Sequence, residues 1–574
     1  MYHLIRLLGL PASATIQFYR QLSSRERRWA LLCVAFALGG ITLWFGFHYQ
    51  RNTVVVPRRG GTYIEGAVGQ PRYVSPIYAS ANDIDADLAR LLFPGLLAFD
   101  TEGKLVPDLA ESYEVSKDLK KVTLVLRENL FWDDGEPLTV DDVLFTIRTI
   151  QLPEAASPLA TNFQGVTVKK GEAPRSIVFQ LRQPYAPFLY NLTVGILPAH
   201  IWRNIEPAHM VRSEQIIKPI GAGPFRFKQL QKNKVGEIVS YSLVRNERYH
   251  GAKPYLAQIT FRYYPTYDEL LRALKHGEIH GARKIPPDAA EAVSKIRRLK
   301  IVRITLPHVL AVFFNQARSK PLAQAAVRQA LALAVDRGKI IQQALHGEAI
   351  PVASAIPPGS LGATSELPLP QYDPARAEEN LEEAGWKKGE NGVRQKDNVR
   401  LSFTIVSTDL PEIRATAEEL ARQWKEIGVE VKIESQSVGI MQREIIRPRN
   451  YEALLYGLIL GADPDPYPFW HSTQTRDPGL NLSLYKNPKV DTLLETARKI
   501  ADEKERVEKY RSFQEALIED VPAIFLFSRP LLTVRPHRLR GAQVQTAPHP
   551  AERFADVSKW YIRTRRVQQN QRKD

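Results

Sequence analysis

Residues 456–470 read YGLILGADPDPYPFW: an apolar stretch runs into a proline-rich loop carrying Asp463 and Asp465, followed by aromatics. A carboxylate beside aromatic walls at the mouth of a cleft suits an organic cation or a free amino group, because charge-assisted hydrogen bonds to an ammonium are among the stronger ones. The blander reading is a loop whose aspartates cap a turn. Other groupings offer less chemistry. His276 and His280 are four apart, which on a helix would put two metal ligands on one face, but Gly277 between them ends the helix, so surface histidines are expected. Asp133-Asp134 and Asp141-Asp142 could serve as acid pairs for glycoside cleavage, yet a turn cluster and a helix start explain them as turn and cap residues. Gly221-Ala222-Gly223-Pro224 lacks the Lys and Ser/Thr that a phosphate cradle needs, and no G-x-S-x-G elbow occurs. No enzyme, metal or cofactor is expected.

The elements that must position this loop can be read from periodicity. Strands are predicted over 62–68, 240–244 and 258–264, and a hairpin over 111–127. Residues 83–97 have helical spacing, Thr139 caps a helix from Val140 with Asp142 at its third position, and 267–275 is a short helix closed by Gly277. Pro321 opens a long helix, Asp336 caps another that ends at Gly347, and Asp373-Pro374 starts a third closed by Gly385. Leu401, Phe403 and Ile405 alternate, a helix spans 411–427, and Val429, Val431 and Ile433 alternate again. Strand–helix–strand implies a parallel pair with a right-handed crossover. Helices over 490–501 and 504–518 and a buried strand over 524–527 follow. The part before residue 310 is strand-rich and the part after it helix-rich, so a lobe boundary is expected there.

Composition sets the class. The 574 residues are 44% hydrophobic and carry a net charge of +16, with one cysteine. That length implies two to four domains and that apolar fraction a folded chain. Cys33 has no partner, which excludes a disulfide scaffold and a cysteine-ligated metal site. Residues 30–47 (ALLCVAFALGGITLWFGF) carry no charge and span roughly 27 Å as a helix, about a hydrocarbon thickness. Arg6, Arg20, Arg25, Arg27 and Arg28 precede the run against Glu26 alone, so the N-terminus is expected to be cytoplasmic and the bulk outside. An uncleaved anchor is favoured; a cleaved signal peptide is the rival, although 29 residues precede the run and no A-x-A-like site closes it. Residues 1–51 contribute +5 and the last 15 contribute +4, leaving +7 on the body. Most of the excess therefore belongs to topology and the ends, and no nucleic-acid partner is expected.

Eight motifs in order resemble the family-5 extracellular solute-binding proteins of ABC importers, the oligopeptide- and dipeptide-binding group. They are Gly60-Gly61-Thr62, 105–115 (LVPDLAESYEV), 126–143 (LRENLFWDDGEPLTVDDV), 219–225 (PIGAGPF), 245–249 (RNERY), 327–337 (VRQAL…VDR), 372–386 (YDP…AGW) and 485–491 (YKNPKVD). The resemblance spans about 58–540. It implies an α/β, two-lobed periplasmic-binding-protein-like fold of type II (the large cluster C form) with an inserted extra domain. A cleft would close on a short peptide held extended and deliver it to permease subunits with cytoplasmic ATPases.

The family's ligand anchor is an aspartate in a Gly-Trp-x-Ala-Asp-Tyr-like segment that binds the peptide's α-amino group. The matching positions are Leu460, Gly461, Ala462 and Asp463, with Leu460 in place of tryptophan and Pro464 in place of tyrosine. Tyr467 and Trp470, or Phe469, are expected to wall the pocket instead. A monomer is expected, with a non-peptide ligand or a sensor role as the alternative. The expected organisation is a cytoplasmic segment 1–28, a transmembrane anchor 29–49, a linker 50–59, a binding domain 60–545 and a basic tail 546–574, whose last 15 residues, from Trp560, are expected to fray. Within the binding domain, lobe I is expected at 60–97, 215–308 and 520–545, the inserted domain at 98–214 and lobe II at 309–519.

Overall fold

The computed structural model describes residues 23–364 and 366–568. The first 22 residues of the expected cytoplasmic segment and the last six of the expected tail lie outside the described residues. The chain divides into two compact units, one formed by the segments up to Arg58 and from Arg563 onward, the other by Arg59–Ile562.

In the first unit a 29-residue helix, Ser24–Asn52, begins at a capping box in which Ser23 and Glu26 bond reciprocally to each other's backbone. None of its residues is buried. It is the one helix among the described residues long and apolar enough to cross a membrane. The expected linker is not irregular: Thr53–Arg58 is a strand paired antiparallel with Arg563–Gln568. Valine-rich sequence on one side and an arginine-rich run on the other satisfy each other's backbone groups, which a free linker and a free tail would leave to water.

The second unit is built on two sheets. The first has seven strands, in the order Leu299–Ile304, Leu531–Pro536, Gly281–Ala282, Thr62–Val68, Gln258–Tyr264, Ile238–Arg245 and Phe225–Lys232. The second has six: Ile350–Pro351, Ala523–Ser528, His308–Phe314, Ala453–Ile459, Ser402–Thr408 and Glu430–Gln436. Ser402–Thr408 and Glu430–Gln436 are parallel and joined by the helix Pro411–Glu426, with Phe403 opposite Val431. A four-stranded antiparallel sheet, Ala110–Val115, Lys121–Leu126, Ser176–Leu181 and Val166–Lys170, forms the inserted domain.

The chain passes between the two large sheets twice, at 305–307 and at 529–530, and the flanking strands pair on both sides of the crossing. The second crossing falls later than the boundary expected near 520. Ala523–Ser528 is buried along its whole length because it pairs with His308–Phe314 in the second sheet, so it belongs to lobe II. Residues 546–562 are also not a tail. Arg553 is 0% exposed and pairs with Glu65 (2.8 Å) and Asp87, and Phe554, Val557 and Trp560 are in the first lobe's core. Trp560, where fraying was expected to begin, is fully buried with its indole N–H on Asp556 (2.6 Å).

Candidate functional site

The two crossings form the floor of a cavity of about 520 Å³ lined from both lobes. A second cavity of about 700 Å³ adjoins it and shares Asp83, Tyr267, Arg283 and Lys284, so together they make a trough beside the hinge. Local sequence explains how the basic pair reaches it. Gly281–Ala282 is pinned between Thr62–Val68 and Leu531–Pro536, and a Cβ at Gly281 would overlap the Tyr63 hydroxyl and the Val534 carbonyl. The next two residues leave the sheet at the end of this strand and enter the trough. Arg283 donates to Asp87 (2.8 Å) and pairs with Asp83 (3.0 Å). Arg529, on the second crossing, pairs with Glu412 (2.6 Å). His308 is 7% exposed, and among the described residues its Nδ1 has no hydrogen-bond partner. Burial first, then the charges of Arg529 and Lys284, push it down to about 3, so its imidazole is neutral at ordinary pH.

The 456–470 segment leaves the middle of the second sheet. Ala453–Ile459 ends with Ile459 in the trough, and Leu460 turns inward with its N–H on Pro307 O (2.8 Å) at the first crossing. Gly461 and Ala462 offer their carbonyls to Ser360 Oγ (3.0 Å) and the Leu361 N–H (2.7 Å). Asp463 is buried: Oδ1 accepts from Tyr510 OH (2.9 Å) and the Asp465 N–H (3.1 Å), while Oδ2 lies 3.3 Å from Arg506 Nη2. That last contact supplies charge without hydrogen-bond geometry, so Oδ2 keeps an open acceptor. Burial raises the Asp463 carboxyl, with Arg506 pulling the other way. Ala462 and Arg506 face a third cavity, of about 730 Å³, whose other wall is Tyr113, Tyr185, Phe188 and Tyr190 of the inserted domain.

Leu460, Gly461, Ala462 and Asp463 are thus contiguous, but the aromatics diverge. Trp470 is 3% exposed and packs on Phe313, Phe513 and Phe525 in the second lobe's core, so it faces none of these three cavities. Tyr467 stacks on His471 (4.1 Å) and lies under the Arg498 guanidinium (3.8 Å). Asp465, which the sequence offers only as a second carboxylate, is a junction. Both oxygens take Arg498 (2.8 and 2.7 Å), and Tyr185 OH of the inserted domain donates to Oδ2 (3.0 Å). The Ala186 N–H also bonds Arg498 O (2.8 Å), so inserted domain and second lobe are latched here.

The weaker sequence candidates have structural roles. His280 Nδ1 accepts from the Ile64 N–H (3.2 Å), and no group of three His, Cys, Asp or Glu among the described residues could hold a metal. Asp133 accepts from the Gly221 N–H (3.2 Å), and a Cβ at Gly221 would overlap the Leu92 carbonyl, which is why that turn is glycine. Asp142 completes a capping box with Thr139.

Two lobes joined by paired crossing strands, with a trough beside the hinge, define a hinged ligand-binding receptor. The chain belongs to the bacterial extracellular solute-binding proteins, family 5, whose sequence profile matches residues 104–479. It is 27% identical over 514 residues to the oligopeptide-binding protein AppA of Bacillus subtilis, covering 88% of this chain and 92% of that one. It is 26% identical over 511 residues to the dipeptide-binding protein of Escherichia coli, covering 84% and 92%. Among solved structures, the ABC transporter substrate-binding protein CtaP of Listeria monocytogenes matches with a TM-score of 0.76 at 28% identity, covering 88% of this chain and 99% of that one. AppA of Bacillus subtilis in complex with a nonapeptide matches with a TM-score of 0.70 at 27% identity, covering 88% and 100%.

Proposed function

We propose that this family-5 solute-binding protein captures short peptides outside the cytoplasm and presents them to ABC permease subunits, tethered by the helix Ser24–Asn52. The observation that carries the reading is the trough at a two-stranded hinge, in a chain that aligns over most of its length with peptide-binding relatives. Closure of one lobe on the other gives a permease a way to distinguish loaded from empty protein. The tether is supported by an apolar helix with no buried residue, flanked on the N-terminal side by arginines.

Within this reading Asp463 meets the peptide's ammonium. Among the described residues its Oδ2 has no hydrogen-bond donor, and its neighbours Ala462 and Arg506 open onto the cavity beneath Tyr190. Peptide binding by the full chain in detergent tests the assignment. Pentapeptides with free amino termini bind, N-acetylated ones bind at least about tenfold more weakly, and Asp463→Asn removes the difference while the protein stays folded. Equal affinity for both peptide forms contradicts it.

A further inference from the structure

Where the apolar helix ends, charge of one sign accumulates. Arg51 in its last turn, Arg58 in the strand that follows, and Arg563, Arg565 and Arg566 in the paired strand are all exposed. Residues 51–58 and 563–568 contain no acid. Among the described residues, the side chains of Arg51, Arg58, Arg563 and Arg565 have no hydrogen-bond or ion-pair partner. Only Arg566 is engaged: its guanidinium lies over the Tyr49 ring (5.9 Å) and donates to Thr53 Oγ1 (3.0 Å). Thr53 Oγ1 in turn donates to the Tyr49 carbonyl (2.6 Å), so the ribbon is fastened to the last turns of the helix.

The register concentrates the charge further. Arg58 stands directly opposite Arg563, and Arg565 opposite Val56, so Arg58, Arg563 and Arg565 share one face of the ribbon. Like charges directly opposite each other destabilise an antiparallel pair, and a two-stranded ribbon alone is marginal in water. An anionic partner would remove that repulsion. The place of the ribbon says which one. Arg51 follows Phe47, the last residue of the uncharged run, by about 6 Å along the helix, which is the depth of the headgroup layer beside a hydrocarbon core.

We propose that this ribbon docks on anionic phospholipid headgroups of the membrane that holds the helix, with Arg58, Arg563 and Arg565 of one face meeting lipid phosphates and Arg51 joining them from the helix end. The inference rests on the tether reading for the presence of the membrane. Guanidinium groups suit phosphate because their paired N–H donors match its oxygens. Both covalent connections to the second unit, at Arg58–Arg59 and Ile562–Arg563, run through the ribbon. Docking therefore fastens the receptor chain at two points instead of one.

Amide hydrogen exchange of the full chain in nanodiscs tests the proposal. Discs of phosphatidylcholine are compared with discs of an equal mixture of phosphatidylcholine and phosphatidylglycerol. Protection of the amides that pair the two strands rises about tenfold or more in the anionic discs. High salt removes the gain, and the strand Ile238–Arg245 does not respond. Arg58→Gln, Arg563→Gln and Arg565→Gln together abolish the dependence on lipid charge, whereas Arg58→Lys, Arg563→Lys and Arg565→Lys together keep it. Unchanged protection of Ile238–Arg245 is the folding control for both variants. Wild-type protection independent of lipid charge, or an undiminished dependence in the glutamine variant, overturns the docking. Protection gained from added polyglutamate in neutral discs, and not from phosphatidylglycerol, gives the face to an acidic protein partner and also overturns it. Recovery of the chain free of lipid from both kinds of disc means that the tether reading fails, and the docking with it. Recovery in both kinds with equal protection refutes the docking alone.

Discussion

The latch at Asp465 makes a quantitative prediction about opening. Tyr185→Phe keeps the aromatic ring near Arg498 (5.4 Å) and deletes only the hydroxyl that donates to Asp465 Oδ2 at 3.0 Å. A hydrogen bond to a charged acceptor contributes about 1.5–3 kcal/mol. Asp465 keeps both Arg498 contacts, and its side chain is 14% exposed, so water can take the vacated place. The loss therefore sits at the lower end, about 1.5 kcal/mol, which is about tenfold in the opening equilibrium. Amide hydrogen exchange reads it directly, because the Ala186 N–H bonds Arg498 O across the same junction. Protection at Ala186 should fall about tenfold in Tyr185→Phe, while amides of the strand Ile238–Arg245 keep theirs. Unchanged protection at Ala186, or an equal loss throughout the first sheet, would falsify the latch.

Other consequences follow from single contacts. Burial raises Asp133 from 3.8 to about 6, so the native protein holds a proton that the unfolded chain has already released between those values, and stability falls as pH rises through that window. Asp133→Asn retains an acceptor for the Gly221 amide and should flatten the pH dependence of the urea midpoint between pH 4 and 6; an unaltered slope would assign it to other carboxyls. Gly221→Ala forces a methyl group into the Leu92 carbonyl and should cost several kcal/mol or abolish soluble expression; a wild-type melting temperature would contradict the packing described. Arg553→Met strands Glu65 in the core, leaves Asp87 with Arg283 alone, and should cost about 3–5 kcal/mol by chemical denaturation, whereas a mobile C-terminal segment would lose almost nothing. The full chain should resist alkaline carbonate extraction from membranes, and deletion of residues 1–52 should release it; extraction of the intact chain would remove the tether from the account.

Much of the scaffold was legible because local rules and tertiary packing agree. Thr62–Val68 and Gln258–Tyr264 show strand spacing, and Gly277 in the left-handed region stops the helix Tyr267–His276 where a side chain would be strained. Agreement fails where a distant residue intervenes. The helix expected over 83–97 ends at Leu92, because Pro94 drives Phe93 out of the helical region. The long helix expected from Pro321 breaks at Gln324, where buried Arg328 takes the carbonyls of Leu322 and Ala323 along with those of Asp520 and Val521. No local pattern announces a bond to a residue almost two hundred positions away.

The site divides in the same way. Asp463 stands out as a carboxylate in an apolar-to-aromatic segment. Its partners Arg506 and Tyr510 are four apart on one helix face, a spacing that carries no ligand signal by itself. Trp470 looks like a pocket wall by proximity in sequence, but one helical turn carries it into the core. Lys284 and Arg529 are invisible as a pair, because only the double crossing brings their segments together.

Mass spectrometry of the solute released by denaturing the protein, purified in its loaded form from native membranes, tests the central claim most directly. The account predicts short peptides with unblocked amino termini, and their loss from protein bearing Asp463→Asn. A single non-peptide solute at stoichiometric occupancy, retained by that variant, would contradict it.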